Sequence, residues 1–377
     1  MSTYSQAPKV YFQNLNALRF IAAFVVIISH IEQLKSIFNL PNYWNNHFVI
    51  MMGPIGVVLF FVLSGFLISS LLFKEDEYTG TISIKDFYIR RILRIWPLYF
   101  LIILSALLIL PVFPAMEWPG YNRDIVWDNL YQKLLLYFLF LPNLIYPLYG
   151  LIPYASQTWS IGAEEQFYLV WPVLIKNIKN KWLLMIGVIF SYLLTKILLY
   201  TISSHYYGGI LYNFWNATPI DCMAIGGLFA LVCYQETVIT LHIRNIIFNR
   251  VFQWFTLLGT ILLIFKGVVF PFLNFEIYAL LFGIIICNFA VNPQRVFTME
   301  YPILIFLGKI SYGLYMFHVL AIVISINILK KIALLHNVFL YLLVFLITIT
   351  LSYLSFEFFE KQFNIKKHKY AKIKSGS

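Results

Sequence analysis

The apolar run LNALRFIAAFVVIISH, residues 15–30, carries the guanidinium of Arg19 and the imidazole of His30. An ionisable group at mid-bilayer costs roughly 2.5 kcal/mol or more, so each such residue is a candidate for function. Arg19 lies about one turn inside the run and could equally snorkel to the membrane boundary. His30 lies deeper, and histidine exchanges a proton near neutral pH without a large shift. Eleven residues at about 100° each return His30 to within about 20° of Arg19 on one helical face, about 16 Å along the axis. A ligand lying along that face would have its anionic end at Arg19 and its reactive end at His30.

Two further stretches carry chemistry. FYIRRILRIWPLYF, residues 87–100, brings Arg90, Arg91 and Arg94 into the start of an apolar run. Three arginines without a lysine suit bidentate phosphate recognition, although positive charge alone would also anchor topology. QTWSIGAEEQFYLVWP, residues 157–172, places Trp159, Ser160, Glu164 and Tyr168 at a helix start. Ser160 reads as a helix N-cap, and Glu164 favours the helix dipole; the same carboxylate could hold a sugar hydroxyl or orient an imidazole. Trp159 and the tyrosines offer faces on which a sugar ring can stack. Asp221 and His318 are further ionisable residues inside or at the rim of apolar runs, each equally readable as a structural hydrogen-bonder or a wall of the substrate site.

These residues need a membrane scaffold. Of the 377 residues, 61% are hydrophobic and 11% charged, whereas soluble domains are about 25% charged. Runs of about 20 apolar residues recur, near 15–36, 49–73, 92–112, 162–178, 182–202, 216–235, 252–269, 272–290, 302–329 and 334–358. The expected fold is an all-α, polytopic transmembrane helix bundle of about ten spans, with residues 1–363 as one domain and 364–377 as a basic cytoplasmic tail. Residues 131–149 are apolar but interrupted by Pro142 and Pro147, and read as an interfacial or re-entrant segment. With that segment not crossing and both termini cytoplasmic, Lys and Arg gather on the inner loops, as the positive-inside rule asks; Lys330 and Lys331 are the exceptions. The net charge of +11 therefore reads as orientation and anionic-lipid contact, with no nucleic-acid partner. Cys222, Cys233 and Cys287 show no metal-ligand spacing and read as buried small hydrophobes, and no metal is expected. The N-terminus lacks the short apolar core and cleavage site of a signal peptide, and no soluble domain of useful size remains outside the spans.

Together the motifs resemble the acyltransferase family 3 membrane proteins, the O-antigen and peptidoglycan O-acetylase type. The resemblance rests on Arg19 with His30, on Gly56, Phe60, Phe61, Ser64, Gly65 and Phe66, and on Arg90, Arg91, Arg94 and Pro97. It continues through Trp159, Ser160, Glu164, Gln166, Phe167, Tyr168 and Pro172, and through Gly308, Ser311, Tyr312, Tyr315 and His318. It runs from residue 15 to about residue 363, with Ile161 where the family has leucine and Gln362 where it has proline.

The resemblance implies an O-acetyltransferase of the bacterial inner (cytoplasmic) membrane that moves an acyl group, usually acetyl, from cytoplasmic acyl-CoA to a hydroxyl of a cell-surface or lipid-linked glycan such as lipopolysaccharide. Arg90, Arg91, Arg94 and Arg19 would hold the phosphates of acetyl-CoA. His30 would be the general base, with an acyl-histidine intermediate as the less favoured variant, and Glu164 and Ser160 would orient the acceptor or the imidazole. Trp159, Tyr168, Asp221 and His318 would wall the acceptor site. The fused extracytoplasmic hydrolase-like domain that some members carry is not expected in this sequence, which would make delivery direct or dependent on a separate extracytoplasmic protein. Two rivals stay open on sequence: a polysaccharide-related transporter or flippase, weakened by the absence of repeat symmetry, and an acyltransferase acting on a small molecule or lipid.

Overall fold

The structure, a computed structural model, describes residues 9–375. It opens with the two-residue strand β1 (Lys9–Val10), followed by α1 (Leu15–Ile37), α2 (His47–Thr79) and α3 (Ile84–Leu104), which continues as a π turn to Ile109. Three short helices follow: α4 (Arg123–Trp127), α5 (Leu130–Phe138) and α6 (Pro142–Tyr149). Then come α7 (Trp159–Asn177), α8 (Lys181–Thr201), α9 (Tyr206–Asn216) and α10 (Ile220–Tyr234). The chain closes through α11 (Val238–Ile247), α12 (Arg250–Phe265), α13 (Asn274–Val291), α14 (Pro302–Lys309), α15 (Ser311–Lys331) and α16 (Asn337–Leu354). A π segment over Ser355–Glu360 leads into α17 (Lys361–Lys367), and the described chain ends at the two-residue strand β2 (Lys374–Ser375).

Among the described residues eight helical segments are long and apolar enough to cross a membrane, or nine if α11 and α12, bent by 66°, form one broken span. Two departures separate this from ten. The run at 252–269 forms α12 of only 16 residues, which reaches span length only together with α11, whereas the break of 302–329 at Ile310 still leaves α15 as a span. The 19 residues of α7 would reach about 28 Å, yet Glu164, Glu165 and Gln166 lower its apolar character. Residues 131–149 form α5 and α6, of nine and eight residues, each too short to cross. Left-handed backbone at Asn129 (φ 50°) and Phe140 (φ 56°) brackets α5.

Side-chain caps start α2 and α3: Asn46 accepts from Phe48 N at 2.9 Å, and Ser83 accepts from Asp86 N at 3.4 Å. The centre is α2 against α10, with α1 on the other side of α2. Small residues permit this contact: a Cβ on Gly65 would lie 1.9 Å from Met223 O, and one on Gly226 would lie 2.2 Å from Val62 O. β1 pairs in parallel with β2, so both ends of the described chain share one face of the bundle.

Candidate active site

Helices α1, α2, α3, α7 and α15 line a partly open cavity with about 1000 Å³ of empty space, solvent at its mouth included. Arg19, Arg91 and Arg94 line it, as do Ser64, Glu164 and Tyr168, and Ser160 and Tyr315. Arg19, which the sequence left open to snorkelling, is thus a cavity residue; its Nη1 donates to Asn16 Oδ1 at 3.3 Å. Arg91 lies 5.5 Å from the ring centroids of both Phe87 and Tyr168, a placement that orients a guanidinium by its faces and leaves its edge for a ligand. Its Nε is buried without a hydrogen-bond partner among the described residues.

The first helical turns of α7 set the carboxylates. Tyr168 Oη donates to Glu164 Oε2 at 2.7 Å, so the Ser64 hydroxyl, 2.5 Å from Tyr168 Oη, must donate to the phenol oxygen. Glu164 therefore fixes Tyr168 against Arg91. Glu165 turns away and accepts from Trp96 Nε1 at 3.1 Å. The expected N-cap role of Ser160 is corrected: Thr158 occupies the N-cap position, without a side-chain cap bond. Ser160 lies one residue inside the helix, where its Oγ is 2.8 Å from Tyr315 Oη. The Tyr315 hydroxyl donates to Gln157 O at 2.7 Å, so Ser160 is the donor in that pair.

Tyr315 links the cavity to a histidine pair. His318, fully buried, presents Nδ1 to Tyr315 O at 2.6 Å, one helical turn back. Its Nε2 lies 2.7 Å from His30 Nδ1. The rings are almost parallel, 8° apart, with centroids 4.9 Å apart, which together with the short N···N distance describes edge-to-edge rings in one plane. A carbonyl can only accept, so His318 carries its proton on Nδ1; neutral His318 then accepts at Nε2 from His30 Nδ1–H. The chain of donors leaves His30 Nε2 with a free lone pair, the form a general base needs. His30 itself, half-buried, stands behind Tyr315 and is not one of the cavity-lining residues.

Other sequence candidates lie elsewhere. Arg90 lines a second cavity of about 570 Å³, paired with Glu75 at 3.1 Å and donating to Tyr370 O at 2.6 Å. Arg91 and Arg94 line both cavities. Trp159 packs edge-on to Phe61, with centroids 6.0 Å apart, outside the cavity lining. Asp221 is fully buried away from the cavity with neither carboxylate oxygen hydrogen-bonded among the described residues, beside an ion pair of Lys196 and Glu276 at 2.9 Å. Sequence reasoning passed over Ser64 and Tyr315 as chemistry. The spacing of Tyr315 and His318, three residues apart on one helical face, was the available signal.

Residues 12–357 match the family model described as an acyltransferase domain, and they contain every residue lining the large cavity. The chain belongs to this acyltransferase family. A protein of Staphylococcus aureus (strain COL), named provisionally as an O-acetyltransferase, is 27% identical over 393 residues, covering 94% of this chain and 57% of that protein. The peptidoglycan O-acetyltransferase OatA of Listeria monocytogenes is 29% identical over 189 residues, covering 49% of this chain and 28% of its own length. The acyltransferase chain thus spans little more than half the length of the first of these relatives. No solved structure matches it. Within the acyltransferase match lie the arginines of the cavity and both members of the histidine pair; the segment after residue 357, which carries Lys367 and Tyr370, lies beyond it.

Proposed function

We propose that the protein is a multi-pass O-acyltransferase of the bacterial cytoplasmic membrane that moves an acyl group, acetyl in the simplest case, from cytoplasmic acyl-CoA to a hydroxyl of a cell-surface or lipid-linked glycan. The observation that carries this reading is one cavity lined by Arg19, Arg91, Arg94 and Tyr315, with the hydrogen-bonded pair of His318 and His30 held behind Tyr315. Coenzyme A is long, thin and phosphorylated at one end, which suits a cavity with arginines on one wall and Tyr315 on another. The names of the relatives, O-acetyltransferases of a cell-wall polymer among them, support acetyl as the group and a glycan as the acceptor.

In this reading the termini face is cytoplasmic, and the arginines hold the donor phosphates while the pantetheine arm runs toward Ser160 and Tyr315. His30 Nε2 takes the proton of the acceptor hydroxyl as its oxygen attacks the thioester carbonyl. The carbon–sulfur bond breaks, and the proton passes to the leaving thiolate, releasing CoA thiol. His318, accepting from His30 Nδ1–H, steadies the imidazolium that forms. Glu164 is a positioning residue acting through Tyr168 and Arg91.

The test is release of free thiol by the purified protein given acetyl-CoA and cell-wall glycan. Wild type should release thiol only with glycan present. His30→Ala should keep its thermal stabilisation by acetyl-CoA and lose thiol release; turnover at the wild-type rate removes His30 from the chemistry. A wild-type protein indifferent to acetyl-CoA overturns the donor assignment and favours transport.

A further inference from the structure

The lysine-rich C-terminal stretch, expected as a tail on the membrane surface, is folded back in the structure. Arg90 Nη1 donates to Tyr370 O at 2.6 Å, Lys372 Nζ lies 3.9 Å from Asp86 Oδ2, and β2 pairs with β1. These attachments lay residues 367–375 as a strap across the start of α3. Beneath the strap is the second cavity, about 570 Å³, walled by Arg90, Arg91 and Arg94 from α3, Glu75 from α2, and Lys367 and His368 from the strap.

The charges around this cavity do not balance. Glu75 is its single lining carboxylate among the described residues, and it pairs with Arg90. Arg91, Arg94 and Lys367 have no carboxylate within 4.0 Å among the described residues. Glu360, a carboxylate facing Arg94, is held by the Ser355 hydroxyl at 3.0 Å. Gathering like charges in a partly dry cavity is unfavourable unless an anion joins them. Arg91 and Arg94 also wall the large cavity, so an anion bound here would share both arginines with a ligand bound there.

We infer that Lys367, Arg91 and Arg94 form a phosphate-binding site whose third wall is the C-terminal strap, and that this site takes the phosphate-bearing end of the acyl donor. The inference rests on the donor assignment above. The same chemistry would hold a lipid phosphate headgroup, so the test separates the two.

The full chain in zwitterionic nanodiscs is titrated with acetyl-CoA, and separately with inorganic pyrophosphate as competitor. Lys367→Gln should weaken acetyl-CoA binding about tenfold and weaken pyrophosphate competition, with the thermal midpoint unchanged and Lys367→Arg restoring most of the affinity. Lys366→Gln, an exposed neighbour outside the cavity, should change neither. If Arg94→Gln weakens acetyl-CoA binding and Lys367→Gln does not, the strap assignment falls and the donor assignment stands. If neither variant alters acetyl-CoA binding, the donor assignment falls as well. A Lys367→Gln effect that appears only when phosphatidylglycerol is added assigns the site to lipid and overturns the inference.

Discussion

His30 Nδ1 lies 2.7 Å from His318 Nε2, and the remaining nitrogen of His318 faces the carbonyl oxygen of Tyr315 at 2.6 Å. Each link fixes the next. The carbonyl sets the His318 tautomer, His318 sets the His30 tautomer, and one basic nitrogen remains at the end of the relay. A triad of serine-hydrolase type ends the same relay in a buried carboxylate; here it ends in a neutral peptide group, so in the proposed reaction an imidazolium on His30 would gain orientation and a hydrogen bond and no counter-charge.

Replacing His318 by Asn should therefore lower thiol release about 10²-fold, at the lower end of general-base effects, while leaving acetyl-CoA binding intact. The two histidines act as a unit, so His30→Ala combined with His318→Asn should be no slower than His30→Ala alone. Single-turnover rates for the three variants check this. Multiplicative losses would mean that His318 acts separately from His30.

Arg19 shares the cavity with Arg91 and Arg94 and makes no ion pair among the described residues. Arg19→Gln should raise the dissociation constant for acetyl-CoA about tenfold, equivalent to about 1.4 kcal/mol. Added salt should narrow the gap between wild type and variant, because the attraction of Arg19 for the anion approaching through solvent is screened as ionic strength rises. Titration calorimetry at two salt concentrations reads both effects. An unchanged affinity would return Arg19 to the status of a boundary anchor.

Much of this site was legible because charge inside an apolar run is conspicuous: Arg19, His30, the Arg90–Arg94 cluster and Glu164 all stand out on that ground. What periodicity cannot give is the partner. His30 and His318 are 288 residues apart, and a helical repeat assigns each a face without saying which faces meet. The strap was invisible for a related reason, since a row of lysines has the same composition whether it faces lipid or folds over an arginine cavity. Ser160 read as a cap because its type and place suit one, yet the backbone begins the helix at Thr158 and spends the hydroxyl on Tyr315. The break at Ile310 follows Gly308 and Lys309, a pair that a long apolar helix can also accommodate, so the sequence did not mark it as an end.

Asp221 separates burial from catalysis. Lys196 pairs with Glu276 at 2.9 Å and donates to Phe272 O at 2.6 Å, with Asp221 buried alongside. Lys196→Ala strands buried Glu276 and should destabilise the protein by about 3–5 kcal/mol. Asp221→Asn removes one of two buried carboxylates that lie side by side, Asp221 and Glu276, away from the cavity, and should leave thiol release within about twofold of wild type. Thermal unfolding in detergent and the thiol assay measure the pair. A large loss of turnover in a stably folded Asp221→Asn protein would draw this cluster into the reaction.

The contact of α2 with α10 sets the width of the cavity wall, because Ser64 and Gly65 are adjacent on α2. A methyl at position 65 would meet the backbone of Met223, with its nearest atom 1.9 Å away, and a backbone cannot rotate aside as a side chain can. The helices must part, so Gly65→Ala should destabilise by about 1–3 kcal/mol or more. By shifting Ser64 away from Tyr168 it should also weaken acetyl-CoA binding. Gly187 is the matched control: it lies in the interior of α8, and a methyl added there would have nothing within 4 Å. There the same substitution removes only the conformational freedom of glycine, and Gly187→Ala should stabilise by about 0.5–1 kcal/mol. Thermal midpoints moving in opposite directions for the two variants assign the Gly65 effect to helix approach; a fall of equal size in both would assign it to glycine loss in general.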